Sequence, residues 1–370
     1  MNLLIFLTRG YNLNHWKENG TLKRELSFYK LLENKNYKIT FLSYGTEIKD
    51  RSLLKKTNFK ILNRPMWVPV ALYSFLIPLI HFKALKKTNI IKTNQIFGTL
   101  EAFFCCIIFN KSLYSRSGYI PSSKISYLKL SLFSKALIFL EEFIACRYSK
   151  TISVSSKYAI KHLSKKYKVK KKKFKLLYNF VDPIFFSSFK SKKNNKKILD
   201  ICFVGRLVNS KQPLLLLEII KEFKNINLHI LGVGPLLKTL KKKSSKIDNK
   251  VVFYDRVENS QVSKFFKNKN VLLLPTLEEG NSKVILEAMS CGLIVMTNDI
   301  ECNKELIKHK SNGYLIKRND VGIYKSYLSN IIRDNKLKYE FSTKAFSFAK
   351  KKYNIKRFLN LELLQLKKCN

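Results

Sequence analysis

The second half of the chain alternates between short apolar runs and segments whose apolar residues have helical spacing. The apolar runs predict buried strands at 199–204, 227–232, 250–254, 270–275 and 293–297, and the segments between them predict helices at 212–223, 235–246, 260–267 and 283–290. Parallel strands need a crossover between them, which is usually a helix. This alternation therefore predicts an α/β fold with a doubly wound parallel sheet.

The first half repeats the same rhythm without an obvious sequence repeat. We predict strands in the N-terminal run MNLLIFL and at 38–43, 89–92, 112–114 and 151–155, and helices at 22–32, 100–109 and 128–147. A chain of 370 residues exceeds the usual size of one domain. We expect two Rossmann-like domains, 1–182 and 183–349, joined near YNFVDPIFF (178–186) and the polar stretch 187–197.

The chain is strongly basic, with 71 Lys and Arg against 25 Asp and Glu and a net charge of +46. This excess favours polyanionic surroundings such as nucleic acid, an anionic membrane surface or acidic saccharides. Lys, Asn, Ile, Phe and Tyr are also the residues of A/T-rich codons, so genome composition is an alternative explanation. Residues 251–300 form the one block of fifty with more acidic than basic residues.

Cysteine and histidine spacing predicts no metal site. The seven cysteines form no CxxC pair, and the five histidines form no HxxxH or HExxH motif. We expect the cysteines to be reduced core residues of a cytoplasmic protein. The N-terminal sequence has no basic region before its apolar run, so no signal peptide is predicted.

One apolar segment, residues 65–82, has eighteen uncharged residues between Arg64 and Lys83. This length barely suffices to span a bilayer, and Pro69 and Pro78 would interrupt a spanning helix. Both flanks are basic, which gives no orientation signal. We therefore expect a buried helix or a helix on a membrane surface.

The most informative motif is EEGNSKVILEAMSCG, in which Glu279 and Glu287 stand eight residues apart. It follows the predicted strand 270–275 and opens the helix 283–290, with Asn281 or Ser282 as the N-cap. Loops of this kind lie at the carboxyl ends of parallel strands, where ligands bind. The free N–H groups at the helix start favour an anion. We expect both carboxylates to face one pocket.

Two further loops supply cations and glycines. In VGRLVNSK, Gly205 permits a tight turn, and Arg206 and Lys211 suit a diphosphate, although Arg206 is equally consistent with an ordinary exposed residue. In LHILGVGPL, Gly232 and Gly234 permit close approach of a ligand to the backbone. The third glycine and the later acidic residue of a dinucleotide fingerprint are missing, which weighs against an NAD-dependent oxidoreductase.

The order of these motifs resembles the nucleotide-sugar domain of glycosyltransferase family 4, retaining enzymes of the GT-B fold. The resemblance is strong over 199–345 and includes 298–307 and 312–316. It implies two Rossmann-like domains facing across a cleft. Residues 358–366 look like the family's terminal helix, so we assign 350–370 to a helix that crosses back to the N-terminal domain.

The resemblance implies roles for individual residues. Glu279 would contact the sugar hydroxyls, Glu287 the ribose, and Arg206 and Lys211 the diphosphate; Arg206, Lys211 and Glu279 are the predicted catalytic residues. The other predicted donor-binding residues are Gly205, Gly232, Gly234, Gly280, Asn281, Ser282, Lys283 and Val284. No metal and no cofactor is expected, because the cations would neutralise the diphosphate.

The acceptor side departs from the family pattern. Many members carry a Gly–Gly pair in the first N-terminal loop and a histidine after a strand in the middle of the domain. This chain has Arg9–Gly10 and SRSGY (115–119) instead. We therefore assign Arg9, Gly10 and Arg116 to the acceptor side.

The predicted function is transfer of a sugar, with retention, from a UDP- or GDP-sugar to a hydroxyl of a saccharide or lipid-linked acceptor. The expected setting is cell-surface polysaccharide or lipopolysaccharide biosynthesis, in the cytoplasm and peripherally at the inner face of the cell membrane. No specific nucleic acid is expected as a partner. The alternative is a basic, non-enzymatic nucleic-acid-binding protein, which would leave the Glu279–Glu287 pair unexplained.

Overall fold

The computed structural model describes residues 1–123, 130–189, 198–318 and 320–370. The chain divides into two compact units. The first unit comprises Met1–Tyr178 and Phe358–Asn370, and the second comprises Asn179–Arg357. Each unit is built around one parallel sheet.

The sheet of the first unit has seven strands among the described residues, in the order β3-β2-β1-β4-β5-β6-β7. Its strands are β1 (Asn2–Phe6), β2 (Lys38–Leu42), β3 (Lys60–Leu62), β4 (Ile90–Thr93), β5 (Ser112–Ser117), β6 (Thr151–Val154) and β7 (Phe174–Leu176). Its helices before residue 178 are α1 (Leu13–Glu18), α2 (Leu22–Glu33), α3 (Glu47–Leu54), α4 (Val70–Ile80), α5 (Phe82–Lys87), α6 (Thr99–Phe109), α7 (Leu132–Tyr148) and α8 (Lys157–Lys166).

The sheet of the second unit has six strands among the described residues, in the order β10-β9-β8-β11-β12-β13. Its strands are β8 (Leu199–Val204), β9 (Ile226–Leu231), β10 (Val251–Tyr254), β11 (Val271–Leu274), β12 (Ile294–Asn298) and β13 (Gly313–Ile316). Its helices are α9 (Pro183–Ser187), α10 (Pro213–Ile220), α11 (Leu237–Ser244), α12 (Asn259–Phe266), α13 (Lys283–Ser290), α14 (Glu301–Lys304), α15 (Val321–Arg333) and α16 (Asn335–Lys352). The last helix, α17 (Ile355–Cys369), contributes most of its length to the first unit.

Both sheets have the strand order of a doubly wound fold, which confirms the predicted fold class. In each sheet the order reverses once, between β1 and β4 and between β8 and β11. Loops that leave neighbouring strands in opposite directions at such a reversal open a crevice at the carboxyl edge of the sheet. The central strands are buried throughout, as expected for a parallel sheet covered on both faces; β11 and β12 are examples.

The nine predicted elements between residues 199 and 297 are all present, with ends within three residues of the prediction. The sequence missed β3 and β7, because a three-residue strand at a sheet edge carries too few apolar residues to form a pattern. The helix predicted from residue 128 begins at Leu132, where Ser131 caps it by accepting from the Ser134 N–H at 3.2 Å. Residues 124–129, and residues 190–197 of the polar stretch, lie outside the described residues.

The apolar segment 65–82 contains α4, which begins after Pro69 and continues through Pro78 to Ile80. The sequence suggested that Pro69 and Pro78 would interrupt a spanning helix. Pro69 precedes α4, and Pro78 lies in its last turn without dividing it. Tyr73 and Ile77 pack into the core of the first unit with residues of β1 and β4. In the described part of the chain, every helix is too short or too polar to span a bilayer.

A buried ion pair attaches α17 to the first sheet. Lys92 on β4 is 1% exposed, Glu362 on α17 is fully buried, and the two side chains are in direct contact. The Tyr114 hydroxyl donates to the second carboxylate oxygen of Glu362 at 2.8 Å. The Lys92 ammonium also lies 5.3 to 5.8 Å from the ring centroids of Tyr114, Tyr29 and Phe28. Burial lowers the pKa of Lys92, and the Glu362 carboxylate opposes this effect.

Breaking this pair on one side will destabilise the first unit more than removing both charges. We expect Lys92→Met to cost about 3–5 kcal/mol of unfolding free energy, because Glu362 is left buried without its countercharge. The double variant Lys92→Met/Glu362→Leu should recover a large part of that loss. Urea unfolding followed by tryptophan fluorescence measures this directly, since Trp16 and Trp67 both lie in the first unit.

The exposed Lys87 at the end of α5 provides the control. We expect Lys87→Met to change stability by less than about 0.5 kcal/mol. If the double variant loses as much unfolding free energy as Lys92→Met and Glu362→Leu lose together, the two side chains do not stabilise each other.

Candidate functional site

The candidate site lies where the strand order of the second sheet reverses, in the loops that follow β8 and β11. These two loops are in direct contact. The Leu277 N–H donates to the Ser210 carbonyl at 2.9 Å, and the Thr276 hydroxyl donates to the same carbonyl at 3.3 Å. Residues that the sequence separates by more than sixty positions are thereby held side by side.

Lys211 and Glu279 form an ion pair across these loops. Lys211 ends the 3-10 turn Asn209–Lys211, and its ammonium also lies 3.3 Å from the Thr276 hydroxyl. The two side chains are only 17% and 15% exposed, so the pair is shielded from bulk water without being sealed off. Two of the three predicted catalytic residues are therefore neighbours.

Arg206 follows Gly205 at the end of β8, and its side chain is exposed. Its guanidinium makes no hydrogen bond or ion pair with the residues that the structure describes. A guanidinium without a competing partner can bind phosphate oxygens through two hydrogen bonds. Unlike Lys211, Arg206 therefore presents an unneutralised charge to solvent.

Gly232 and Gly234, in the loop after β9, are required because the loop after β8 packs against them. The Gly205 N–H donates to the Leu231 carbonyl at 3.1 Å, and the Leu207 N–H donates to the Val233 carbonyl at 3.0 Å. A Cβ on Gly232 would lie 1.9 Å from the Gly205 carbonyl oxygen, and one on Gly234 would lie 2.5 Å from that of Leu207. The sequence predicted that a ligand approaches the backbone closely here. The structure places the backbone of the loop after β8 against Gly232 and Gly234.

The N-terminus of α13 has no side-chain cap. Ser282 occupies the N-cap position, as predicted, but its hydroxyl makes no capping hydrogen bond. Gly280 precedes it in the loop, and Lys283 and Val284 begin the helix, half-buried. The start of α13 therefore lacks a side-chain cap, and the helix dipole favours an anion at this position.

Asn281 does not cap the helix because its side chain is already engaged. Its carbonyl oxygen accepts from the Asn179 backbone N–H at 2.9 Å, and the Asn179 amide donates to the Asn281 backbone carbonyl at 2.8 Å. Asn281 is 6% exposed, and its amide nitrogen has no partner among the described residues. The loop thus keeps one buried donor beside the helix start.

Glu287 lies in the second turn of α13 and is 5% exposed. The Asn259 amide at the start of α12 donates to its carboxylate at 2.9 Å. Sequence reasoning missed Asn259, because nothing in the sequence connects it to a residue 28 positions later. It also missed Asn298 at the end of β12, whose amide donates to the Pro275 and Thr276 carbonyls, both at 3.1 Å, and so supports the loop after β11.

Arg9 and Gly10 lie in the loop that follows β1, in the first unit. The Arg9 guanidinium pairs with the buried carboxylates of Glu101 and Glu141. The second oxygen of Glu141 accepts from the Gly98 and Thr99 N–H groups at the start of α6, at 2.9 and 2.8 Å. Burial raises the pKa of the Glu141 carboxyl to about 7, against the opposing effect of Arg9.

Arg116 lies near the end of β5, and β4 separates its strand from β1. Its guanidinium lies 5.0 Å from the Phe358 ring centroid, and one of its terminal nitrogens is buried without a hydrogen-bond partner in the described part of the chain. Among the residues that the structure describes, no group of three or more His, Cys, Asp and Glu side chains is arranged to hold a metal ion.

Residues 185–348 match the family model of glycosyl transferases group 1. Over 162 residues the chain is 32% identical to an uncharacterized glycosyltransferase of Haemophilus influenzae, which covers 42% of this chain and 44% of that protein. Over 143 residues it is 30% identical to the Escherichia coli UDP-Gal:alpha-D-GlcNAc-diphosphoundecaprenol alpha-1,3-galactosyltransferase, covering 36% of each chain. The chain thus spans less than half the length of these relatives.

The solved structure of Anabaena Alr3699/HepE in complex with UDP matches the whole fold. Its TM-score is 0.79, over 99% of this chain and 100% of that chain, at 14% sequence identity. At this identity the likeness establishes the fold alone. Arg206, Lys211, Glu279 and Glu287 all lie within the residues that match the family. Residues 185–348 are therefore a glycosyl transferases group 1 domain, carried in a chain with the GT-B fold.

Proposed function

We propose that the protein is a glycosyltransferase that moves a sugar from a nucleotide-diphosphate sugar to a hydroxyl of an acceptor. The observation that carries this proposal is the set of groups around the loops after β8 and β11. Arg206 is unpaired among the described residues, Lys211 faces Glu279, and the start of α13 has no side-chain cap. Two cations and a helix N-terminus suit a diphosphate.

These groups would act on the leaving diphosphate. As the bond between the anomeric carbon and the diphosphate oxygen breaks, negative charge collects on that oxygen. Arg206, Lys211 and the N–H groups of α13 would stabilise this charge as it develops. They accelerate the reaction only to the extent that they bind the transition state more tightly than the bound donor. Metal independence follows as part of this proposal, since the protein's own cations would neutralise the diphosphate.

Lys211 and Glu279 would exchange partners when the donor binds. Lys211 is a mobile point charge on a flexible side chain, so its ammonium can turn from the carboxylate to a phosphate oxygen. Glu279 would then be free to accept hydrogen bonds from the sugar hydroxyls. The ion pair would therefore keep both side chains in place and partly shielded until the donor replaces it.

Glu287 would bind the nucleotide ribose, with Asn259 holding its carboxylate in position. A buried carboxylate that already accepts from Asn259 is oriented before the ligand arrives, which reduces the entropy lost on binding. The free amide donor of Asn281, beside the helix start, would contribute a further hydrogen bond to the phosphates.

The relatives support a UDP-sugar and a lipid-linked acceptor. The name of the Escherichia coli enzyme specifies UDP-Gal and a diphosphoundecaprenol acceptor, and the Anabaena structure contains UDP. A GDP-sugar and a free saccharide are the alternatives for donor and acceptor. We propose a role in cell-surface polysaccharide or lipopolysaccharide biosynthesis, at the inner face of the cell membrane.

We also propose that the configuration at the anomeric carbon is retained, in keeping with the resemblance to glycosyltransferase family 4. The acceptor oxygen would bond to the anomeric carbon on the face that the diphosphate leaves, and a phosphate oxygen would take the acceptor's proton. No protein base is then required. NMR of the product linkage would distinguish retention from inversion.

The nucleic-acid-binding alternative has no support from the comparisons. It would also leave the Lys211–Glu279 pair and the buried Glu287 without a function. Thermal-shift measurements with UDP, GDP, their sugars and RNA would separate the two functions, because a ligand raises the melting temperature of the protein that binds it.

Removing the Arg206 guanidinium will reduce turnover without unfolding the protein. We expect Arg206→Ala to lower kcat by about 10²–10³, the usual effect of removing one group that stabilises developing charge. Its melting temperature should stay within about 2 °C of wild type, because the side chain is exposed. Steady-state kinetics with the donor found by thermal shift would measure this.

Arg333→Ala is the matched control, because Arg333 is an exposed arginine at the end of α15 in the same unit. We expect it to keep wild-type kinetics. Full activity in Arg206→Ala would remove Arg206 from the diphosphate site.

Changes at Glu287 will reduce the affinity for the donor more than they reduce the turnover rate. We expect Glu287→Gln to raise the Kd for the nucleotide about tenfold, equivalent to roughly 1.4 kcal/mol, with a smaller change in kcat. Asn259→Ala should raise the Kd in the same direction, since it releases the carboxylate. Isothermal titration with the nucleoside diphosphate measures both, and unchanged affinity in Glu287→Gln would exclude the ribose contact.

A further inference from the structure

The first unit carries an exposed apolar face on three helices. Helix α6 packs against both α4 and α7. We define the apolar face by Phe75 and Leu79 on α4, Ile107 and Ile108 on α6, and Leu132 and Phe133 on α7, whose exposed fractions range from 59% to 83%. Single exposed apolar side chains are common, but a group on adjoining helices indicates an interaction surface.

Helix α4 shows why this face requires a partner. Tyr73 and Ile77 on its inner side are completely buried, whereas Phe75 and Leu79 on its outer side are 75% and 74% exposed. A helix that is apolar all round is normally covered on all sides. The outer side of α4 is therefore suited to a second apolar environment.

The charges around the apolar face favour an anionic partner. Residues 51–150 contain three carboxylates, Glu101, Glu141 and Glu142, and these are 3%, 0% and 0% exposed. The cations are on the surface instead: Lys83, Lys86 and Lys87, on α5 beside α4, are all exposed. An apolar surface bordered by cations, with its carboxylates buried, is complementary to a bilayer with anionic headgroups.

A basic pocket provides a second, independent observation. It lies between the end of α7 and the starts of β6 and β7, has a volume of about 590 Å³, and is lined by eight cationic side chains and no carboxylate. Lys150 and Lys175 donate to the backbone carbonyls of Asn370 and Lys172, at 3.0 and 2.8 Å. The side chains of Lys168, Lys170, Lys172 and Lys368 have no partner among the described residues.

The basic pocket lies beside α6, one of the helices that carry the apolar face. Tyr148, the last residue of α7, is 57% exposed, and its ring centroid lies 5.0 Å from that of Phe103 on α6. Arg147, immediately before Tyr148, lines the pocket. Like charges gathered around one cavity repel each other, and an anion bound among them would relieve that repulsion. A phospholipid headgroup fits a cavity of this size.

We propose that the first unit docks on an anionic lipid bilayer, with the apolar face entering the interface and the basic pocket receiving a headgroup phosphate. This deepens the membrane location proposed above by naming the surface and the lipid chemistry. Docking does not depend on sugar transfer, so a binding measurement tests it separately from turnover.

Flotation of the full-length protein with lipid vesicles is the test. We expect at least ten times more protein to float with phosphatidylcholine vesicles containing 30% phosphatidylglycerol than with pure phosphatidylcholine vesicles, in 50 mM salt. High salt should reduce the bound fraction, because the pocket lysines attract the headgroups electrostatically. Absence of flotation with the anionic vesicles in 50 mM salt would overturn the proposal.

Two double variants test the two parts of the surface. Phe75→Ser/Leu79→Ser should reduce the floated fraction at least fivefold, and Lys170→Glu/Lys172→Glu should remove the preference for phosphatidylglycerol. The controls are Tyr339→Ser/Leu364→Ser for exposed apolar residues and Lys238→Glu/Lys242→Glu for exposed lysines on α11. Equal losses in variants and controls would show that the apolar face and the pocket are not the docking surface.

Tripolyphosphate distinguishes a lipid headgroup from a free phosphate ligand. If it stabilises the wild type but not Lys170→Glu/Lys172→Glu, and the protein does not float, the pocket binds a soluble polyphosphate and the bilayer proposal is wrong. Thermal shift with the nucleoside diphosphate should be unchanged in all four variants. A variant that loses this shift would instead have lost the fold or the donor site.

Discussion

The candidate site depends on the reversal of strand order between β8 and β11. Parallel strands have to be connected by crossovers, and where the crossovers change direction two loops emerge side by side at the carboxyl edge. Here those loops bring Lys211 to Glu279 and place Arg206 and the start of α13 at the same edge. Gly232 and Gly234 let the loops after β8 and β9 pack backbone against backbone. The groups that would bind the diphosphate thus rest mainly on main-chain hydrogen bonds.

Much of this arrangement could be predicted from the sequence, because it is encoded locally. The apolar run 270–275 and the spacing after Ser282 predicted β11 and α13 within one residue at each end, and the motif placed Glu279 in the loop and Glu287 in the helix. What could not be predicted are contacts that depend on how distant segments fold together. The pairs Asn179–Asn281 and Asn259–Glu287 leave no periodic signal in the sequence. The same limit explains why the sequence left Asn281 and Ser282 as alternative N-caps of α13.

The first unit was predicted less completely, for a physical reason. Its edge strands β3 and β7 have three residues each, and its polar network is buried instead of lying in a loop motif. Lys92 and Glu362 are 270 residues apart and meet in the core, where neither charge would be expected without the other. Sequence patterns reveal which residues are apolar enough to be buried; they do not reveal charged residues that are buried because they have found a partner.

The contacts of Glu141 differ from those at the equivalent position of the second unit, and the sequence does not reveal this difference. Both sheets have the same strand order, so α6 after β4 corresponds to α13 after β11, and Arg9 after β1 corresponds to Arg206 after β8. In the first unit, Glu141 bridges the arginine and the helix start through its two carboxyl oxygens. The equivalent position in the second unit holds no such side chain among the described residues. The first unit thus provides its own carboxylate at this position, whereas in the proposed function the second unit would bind the diphosphate of a ligand there.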